Sequence, residues 1–87
     1  MAGPKVLVPA GLTLNEARRI SKRFSVRMAQ SNGDMNVYWL PQRRDIVCRS
    51  AFSTNVPPPA DGVFVRCYRP PHPARLFLQD LSATVMA

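Results

Sequence analysis

The chain has 87 residues, enough for one domain and too few for two independent cores. Twelve Lys and Arg stand against five Asp and Glu, a net charge of +7, and ten of those cations are arginine. That balance disfavours a cationic partner and points to nucleic acid, an acidic protein face or an anionic membrane surface. Arginine's planar fork suits phosphates and carboxylates alike.

The N-terminal apolar run is too short for a secretory signal, and Met1-Ala2-Gly3 lacks the glycine in second place that myristoylation needs. No run is long enough to span a bilayer. The expected location is the cytoplasm, with an organelle interior as the alternative. Lys5–Val8 reads as a short strand, and Pro9-Ala10-Gly11 as a tight turn.

Leu12–Phe24 carries the clearest pattern of the chain, one amphipathic helix. Thr13 is a good N-cap and Glu16 stands three residues on, the spacing of a capping box. Leu12 and Ala17 hold the staple positions. At 100° per residue, Leu14, Ala17, Ile20, Ser21 and Phe24 share the inward side. Arg18, Arg19, Lys22 and Arg23 share the outward side, and Glu16 alone cannot neutralise them.

Ser25–Gln30 alternates, and Met35–Leu40 alternates after Asn32-Gly33. Asn-Gly between two such runs predicts a hairpin with a type I′ turn. The implied register pairs Gln30 with Met35, Met28 with Val37 and Val26 with Trp39 on an apolar face. It pairs Arg27 with Tyr38 and Ala29 with Asn36 on the other. Pro41–Arg44 is the next connection. Asp45–Phe52 then reads as a strand with Ile46, Cys48, Ser50 and Phe52 on one face and Val47, Arg49 and Ala51 on the other. This sets Arg43 and Arg44 at a sheet end, with Arg49 near Arg27 on the helix-free face.

Ser53–Gly62, with three consecutive prolines, reads as an extended connecting loop. Val63–Tyr68 is a further strand, ended by Arg69-Pro70-Pro71-His72-Pro73, where His72 is expected to be exposed. Residues 74–87 form a weakly patterned C-terminal element, a strand or short helix docked at the domain edge, with its last residues frayed.

The residues that carry chemistry are sparse. Two cysteines and one histidine do not make a four-ligand zinc site, and Cys48 and Cys67 read as buried reduced thiols, although a disulfide is formally open. No spaced carboxylate pair, activated nucleophile, phosphate-binding loop or dinucleotide turn occurs, so no enzyme, metal or cofactor is expected. What remains is cationic surface: Arg18, Arg19, Lys22 and Arg23 on the helix, and Arg27, Arg43, Arg44 and Arg49 with Tyr38 on the sheet.

Together these features describe a single small basic α+β domain over residues 1–87. Its sheet is mostly antiparallel with three to five strands, and one amphipathic helix packs on one face. The expected role is non-catalytic binding through the arginine-rich surface, with the RNA or DNA backbone as partner. The alternative is an assembly subunit, inhibitor or other interaction protein that docks on an acidic protein surface. Peripheral membrane attachment fits least well, because the sheet satisfies the apolar helix side equally well.

Overall fold

The computed structural model describes Pro9, residues 11–52 and residues 55–86, with residues 74–76 and 84–86 described by backbone alone. The protein is α+β. In chain order the elements are α1 (Leu14–Ala29), β1 (Met35–Leu40), β2 (Asp45–Ser50), β3 (Val63–Tyr68) and α2 (Ala74–Met86). The sheet is antiparallel with the order β2-β1-β3. α1 lies over β2, α2 lies over β3, and the two helices touch. The strand expected at Lys5–Val8 lies outside the described residues.

The start of α1 follows its local chemistry. The Thr13 hydroxyl accepts from the Glu16 N–H at 3.1 Å, and Glu16 Oε1 accepts from the Thr13 N–H at 3.0 Å. This reciprocal box satisfies two donors that the first helical turn leaves open. Just before it, Gly11 turns the chain with φ +84°, and the Leu12 N–H donates to the Pro9 carbonyl at 3.0 Å. Pro9 and Leu12 are both buried.

The end of α1 overturns the first predicted hairpin. Ser25–Ala29 continues the helix instead of forming a strand. Met28 therefore extends the buried stripe of Ala17, Ile20 and Phe24, while Val26 is 53% exposed. A Met four residues after Phe24 satisfies helical spacing as well as it satisfies alternation, and the continuous stripe prevails. Asn32-Gly33 stops this helix rather than reversing a strand. Positive φ occurs among the described residues only at Gly11 and Arg44, so neither Asn32 nor Gly33 has the conformation of a type I′ turn. The pairings of Val26, Met28 and Gln30 with β1 fall with that hairpin, as does Arg27 opposite Tyr38.

The hairpin that does form joins β1 to β2 through Pro41–Arg44, where the Arg44 N–H donates to the Pro41 carbonyl. Trp39 faces Ile46 and Val37 faces Cys48 toward the helices; Tyr38 faces Val47 and Asn36 faces Arg49 on the far side. The predicted alternation of both strands holds, but β2 ends at Ser50, and Phe52 lies beyond it, 73% exposed.

On the other edge β3 carries a bulge. Val37 faces Arg66 and Tyr38 faces Phe64, so Val65 has no opposite number and packs toward the core. Tyr68 and Arg66 consequently point to the helices, and Phe64 points away from them.

Of the two forms expected for the C-terminal element the helix is the one that forms, and it packs into the core rather than at the domain edge. Phe77 and Leu81 are completely buried and join Phe24, Ile20, Val37 and Tyr68 in one core. Each such side chain contributes roughly 1.5–3 kcal/mol by leaving water. Leu14, expected inside, is 43% exposed, because the core is centred on the stripe from Ala17 to Met28. His72 is half-buried rather than exposed, and its Nε2 lies 3.2 Å from the Gly33 carbonyl oxygen.

Candidate anion-binding surface

The outward side of α1 holds Arg18, Arg19 and Lys22, all exposed. None of the three makes an ion pair with a described residue. They lie on the side opposite the buried stripe, so packing on the sheet leaves them in water. Arg23 and Arg27 sit on the flank that faces β2. Arg23 is bound to Asp45 Oδ1 through a hydrogen-bonded ion pair. Burial pushes the Asp45 carboxyl up, but the Arg23 hydrogen bond, the Ile46 N–H and the charges of Arg23 and Arg19 outweigh it and hold the group below its ordinary value.

Arg27 belongs to this helical flank, not to the helix-free sheet face. With Arg23, Phe24, Ile46 and Cys48 it borders a groove between α1 and β2. Burial raises the Cys48 thiol to about 11, against the opposing charges of Arg27 and Arg23. Both thiols are free, and they are half-buried rather than buried as the strand pattern predicts. Cys48 opposes Val37 on the helix side and Cys67 opposes Asn36 on the far side, with β1 between them. Two strand spacings, about 9–10 Å, exceed the reach of a disulfide.

Arg43 and Arg44 are adjacent in sequence and go to opposite sides of the sheet. Arg44, at φ +51°, turns back to α1 and pairs with Glu16 Oε1 at 3.3 Å. The hydrogen bond from the Thr13 N–H, opposed by desolvation and joined by the Thr13 hydroxyl and Arg44, holds the Glu16 carboxyl below its ordinary value. Arg43 instead meets Arg49, Leu40 and Val47 on the helix-free face. There the proline loop at Pro59–Asp61 closes a groove of about 260 Å³. Arg49 Nη1 donates to the Pro57 carbonyl.

Tyr38 lies in the same face, half-buried on the central strand. Its neighbour is not evident from the sequence: the Phe64 ring stands 5.5 Å from the Tyr38 ring, centroid to centroid, at 65°, and is 52% exposed. Simple alternation gives Phe64 the same face as Arg66 and Tyr68. Only the bulge at Val65 separates them, and no local sequence signal announces it.

No family model, curated protein or solved structure matches this chain.

The acids are mostly committed within the fold. Glu16 pairs with Arg44, Asp34 with Arg69, Asp45 with Arg23 and Asp80 with Arg66. Each pairing occupies one arginine, and among the described residues, those known by backbone alone aside, the remaining cations lie on α1 and at the groove lined by Arg43, Arg49 and Asp61. Among the described residues, no three His, Cys, Asp or Glu side chains are grouped to hold a metal ion. Among the same residues, no helix is long and apolar enough to cross a membrane.

Proposed function

We propose that the protein is a non-catalytic nucleic-acid-binding protein that grips the phosphate backbone with the outer ridge of α1. The observation that supports this is the division of labour among the helix cations. Arg23 is tied to Asp45, whereas Arg18, Arg19 and Lys22 project from a helix anchored by four buried residues. A rigid row of unpaired cations releases counterions when it meets phosphates, without first breaking an internal ion pair. Phosphate contacts of this kind set affinity and position, not base sequence. On this proposal the protein works in the cytoplasm, a compartment in which thiols such as Cys48 and Cys67 stay reduced.

The test is binding of labelled oligonucleotides over a range of salt concentrations, with the triple variant Arg18→Glu, Arg19→Glu, Lys22→Glu beside the wild type. All three positions are exposed, so circular dichroism and melting should change little. Affinity should fall at least tenfold, and the slope of log affinity against log salt should shrink by about 2–3, near 0.7–0.9 per phosphate contact. Equal affinity for both proteins removes the ridge from function.

A second reading, docking on an acidic protein surface, is favoured by the exposed Val26 among the cations. That partner would be captured in a pulldown by wild type but not by the triple variant, and oligonucleotide binding would be weak in both.

A further inference from the structure

We infer that the helix-free face of the sheet is a platform for unpaired bases, with Phe64 and Tyr38 as the stacking rings and Arg43 and Arg49 for the adjoining phosphates. This rests on the nucleic-acid reading above and adds the class of nucleic acid, a single strand.

Both helices pack on the opposite face, so no helix covers Tyr38 and Phe64. Tyr38 sits in the central strand between Val47 and Phe64, forming a row of three side chains across the sheet. Arg49 lies in the next row, opposite Asn36, and Arg43 rises from the hairpin turn beside Leu40. Aromatic rings beside arginines on a helix-free sheet face, with the proline loop along the Arg49 side, suit unpaired nucleotides: the rings offer π-faces to bases, and Arg43 and the Arg49 donors not engaged by the Pro57 carbonyl meet the backbone. A duplex keeps its bases stacked inside and cannot use the rings.

The charge of this face decides between occupants. Two copies of the chain packed through it would present the same patch to itself and bring like-charged arginines together. A single strand supplies both an apolar surface for Phe64 and negative charge for Arg43 and Arg49. Asp61 at the groove rim opposes that charge, which yields an independent check.

The experiment uses the full chain with a labelled oligothymidine and a duplex of the same length. The wild type should prefer the single strand. Phe64→Ala and Phe64→Leu should each weaken single-strand binding, Ala by about 5- to 150-fold as expected for one stacked base. Duplex affinity should move less than twofold and the salt slope should stay unchanged. Phe64 is 52% exposed, so neither change should unfold the protein, and melting curves verify this. Asp61→Asn should tighten single-strand binding. Single-strand binding unchanged by both Phe64 variants overturns the platform, whatever Asp61→Asn does, and leaves the α1 ridge standing. No binding to either oligonucleotide overturns both. A wild-type dimer in sedimentation that Phe64→Ala dissociates assigns the face to a second copy instead and overturns the proposal.

Discussion

Phe24 of α1 and Phe77 of α2 lie face to face, ring centroids 4.4 Å apart and 15° from parallel. Both are completely buried, and Phe24 also meets the Tyr68 ring edge-on at 5.2 Å. The contact makes the C-terminal helix part of the core. Phe77→Ala should therefore cost about 3–5 kcal/mol, a large share of the stability of a domain this small. Urea unfolding followed by Trp39 fluorescence measures it. A loss below about 1 kcal/mol would mean that α2 is dispensable to the core.

Tyr68 links β3 to α2 by a second route. Its hydroxyl donates to Asp80 Oδ2 at 2.8 Å, and Arg66 Nη1 donates to the same oxygen at 3.1 Å. Burial, and then the Asp80 hydrogen bond and charge, push the phenol well above its ordinary value, so the hydroxyl remains a donor throughout the stable pH range. Tyr68→Phe keeps the ring and removes the donor, at an expected cost of about 1.5–3 kcal/mol, the range for a hydrogen bond to a charged group. In Asp80→Ala the same substitution should have little further effect, a coupling that a double-mutant cycle reads directly.

Acid should weaken the fold in a defined window. The Asp45 and Glu16 carboxyls both titrate below their ordinary values in the folded chain. The folded protein therefore holds these protons less tightly than the unfolded chain does. Their stabilisation is complete above the unfolded values, near pH 4–4.5, and is lost as pH falls through the lower folded values. Urea midpoints should be flat from pH 7 to about pH 5 and decline below about pH 4. The double variant Glu16→Gln, Asp45→Asn should show a shallower decline. An acid slope as steep as that of the wild type would assign the effect to other groups.

Cys48 should be a slow thiol. With its proton held to about 11, it carries on the order of 100-fold less thiolate near pH 8 than an ordinary cysteine near 9. Alkylation by iodoacetamide, followed by peptide mass, should label Cys48 in the native protein about 100-fold more slowly than in urea. Mild oxidation should yield no Cys48–Cys67 bond within one chain, since the sheet separates the two thiols. Rapid native labelling of Cys48 would mean that the groove beside Arg27 opens to solvent.

Much of this architecture was legible in the residues, because it depends on interactions a few positions apart. The Thr13–Glu16 box, the inward Ala17, Ile20 and Phe24, and the alternation of Met35–Leu40 and of Asp45–Ser50 are local patterns, and the structure keeps them. The cationic side of α1 follows from the same period.

Other features depended on distant partners. Met28 fits a strand or a helix, and only its burial in the core with Ile20, Phe24 and Met35 goes with the helix, which moves Arg27 away from Tyr38. Arg43 and Arg44 have the same charge and adjacent places, yet Glu16 draws one toward α1 while the other joins Arg49. The sequence by itself determined how much positive charge the protein carries and which stretches have two faces, since composition and short-range periodicity settle both. Only the tertiary structure decided which of those charges meet an acid, and that Phe64 stands beside Tyr38. Those outcomes turn on strand register and a single unopposed residue, Val65, whose energies come from contacts that form only when remote parts of the chain meet.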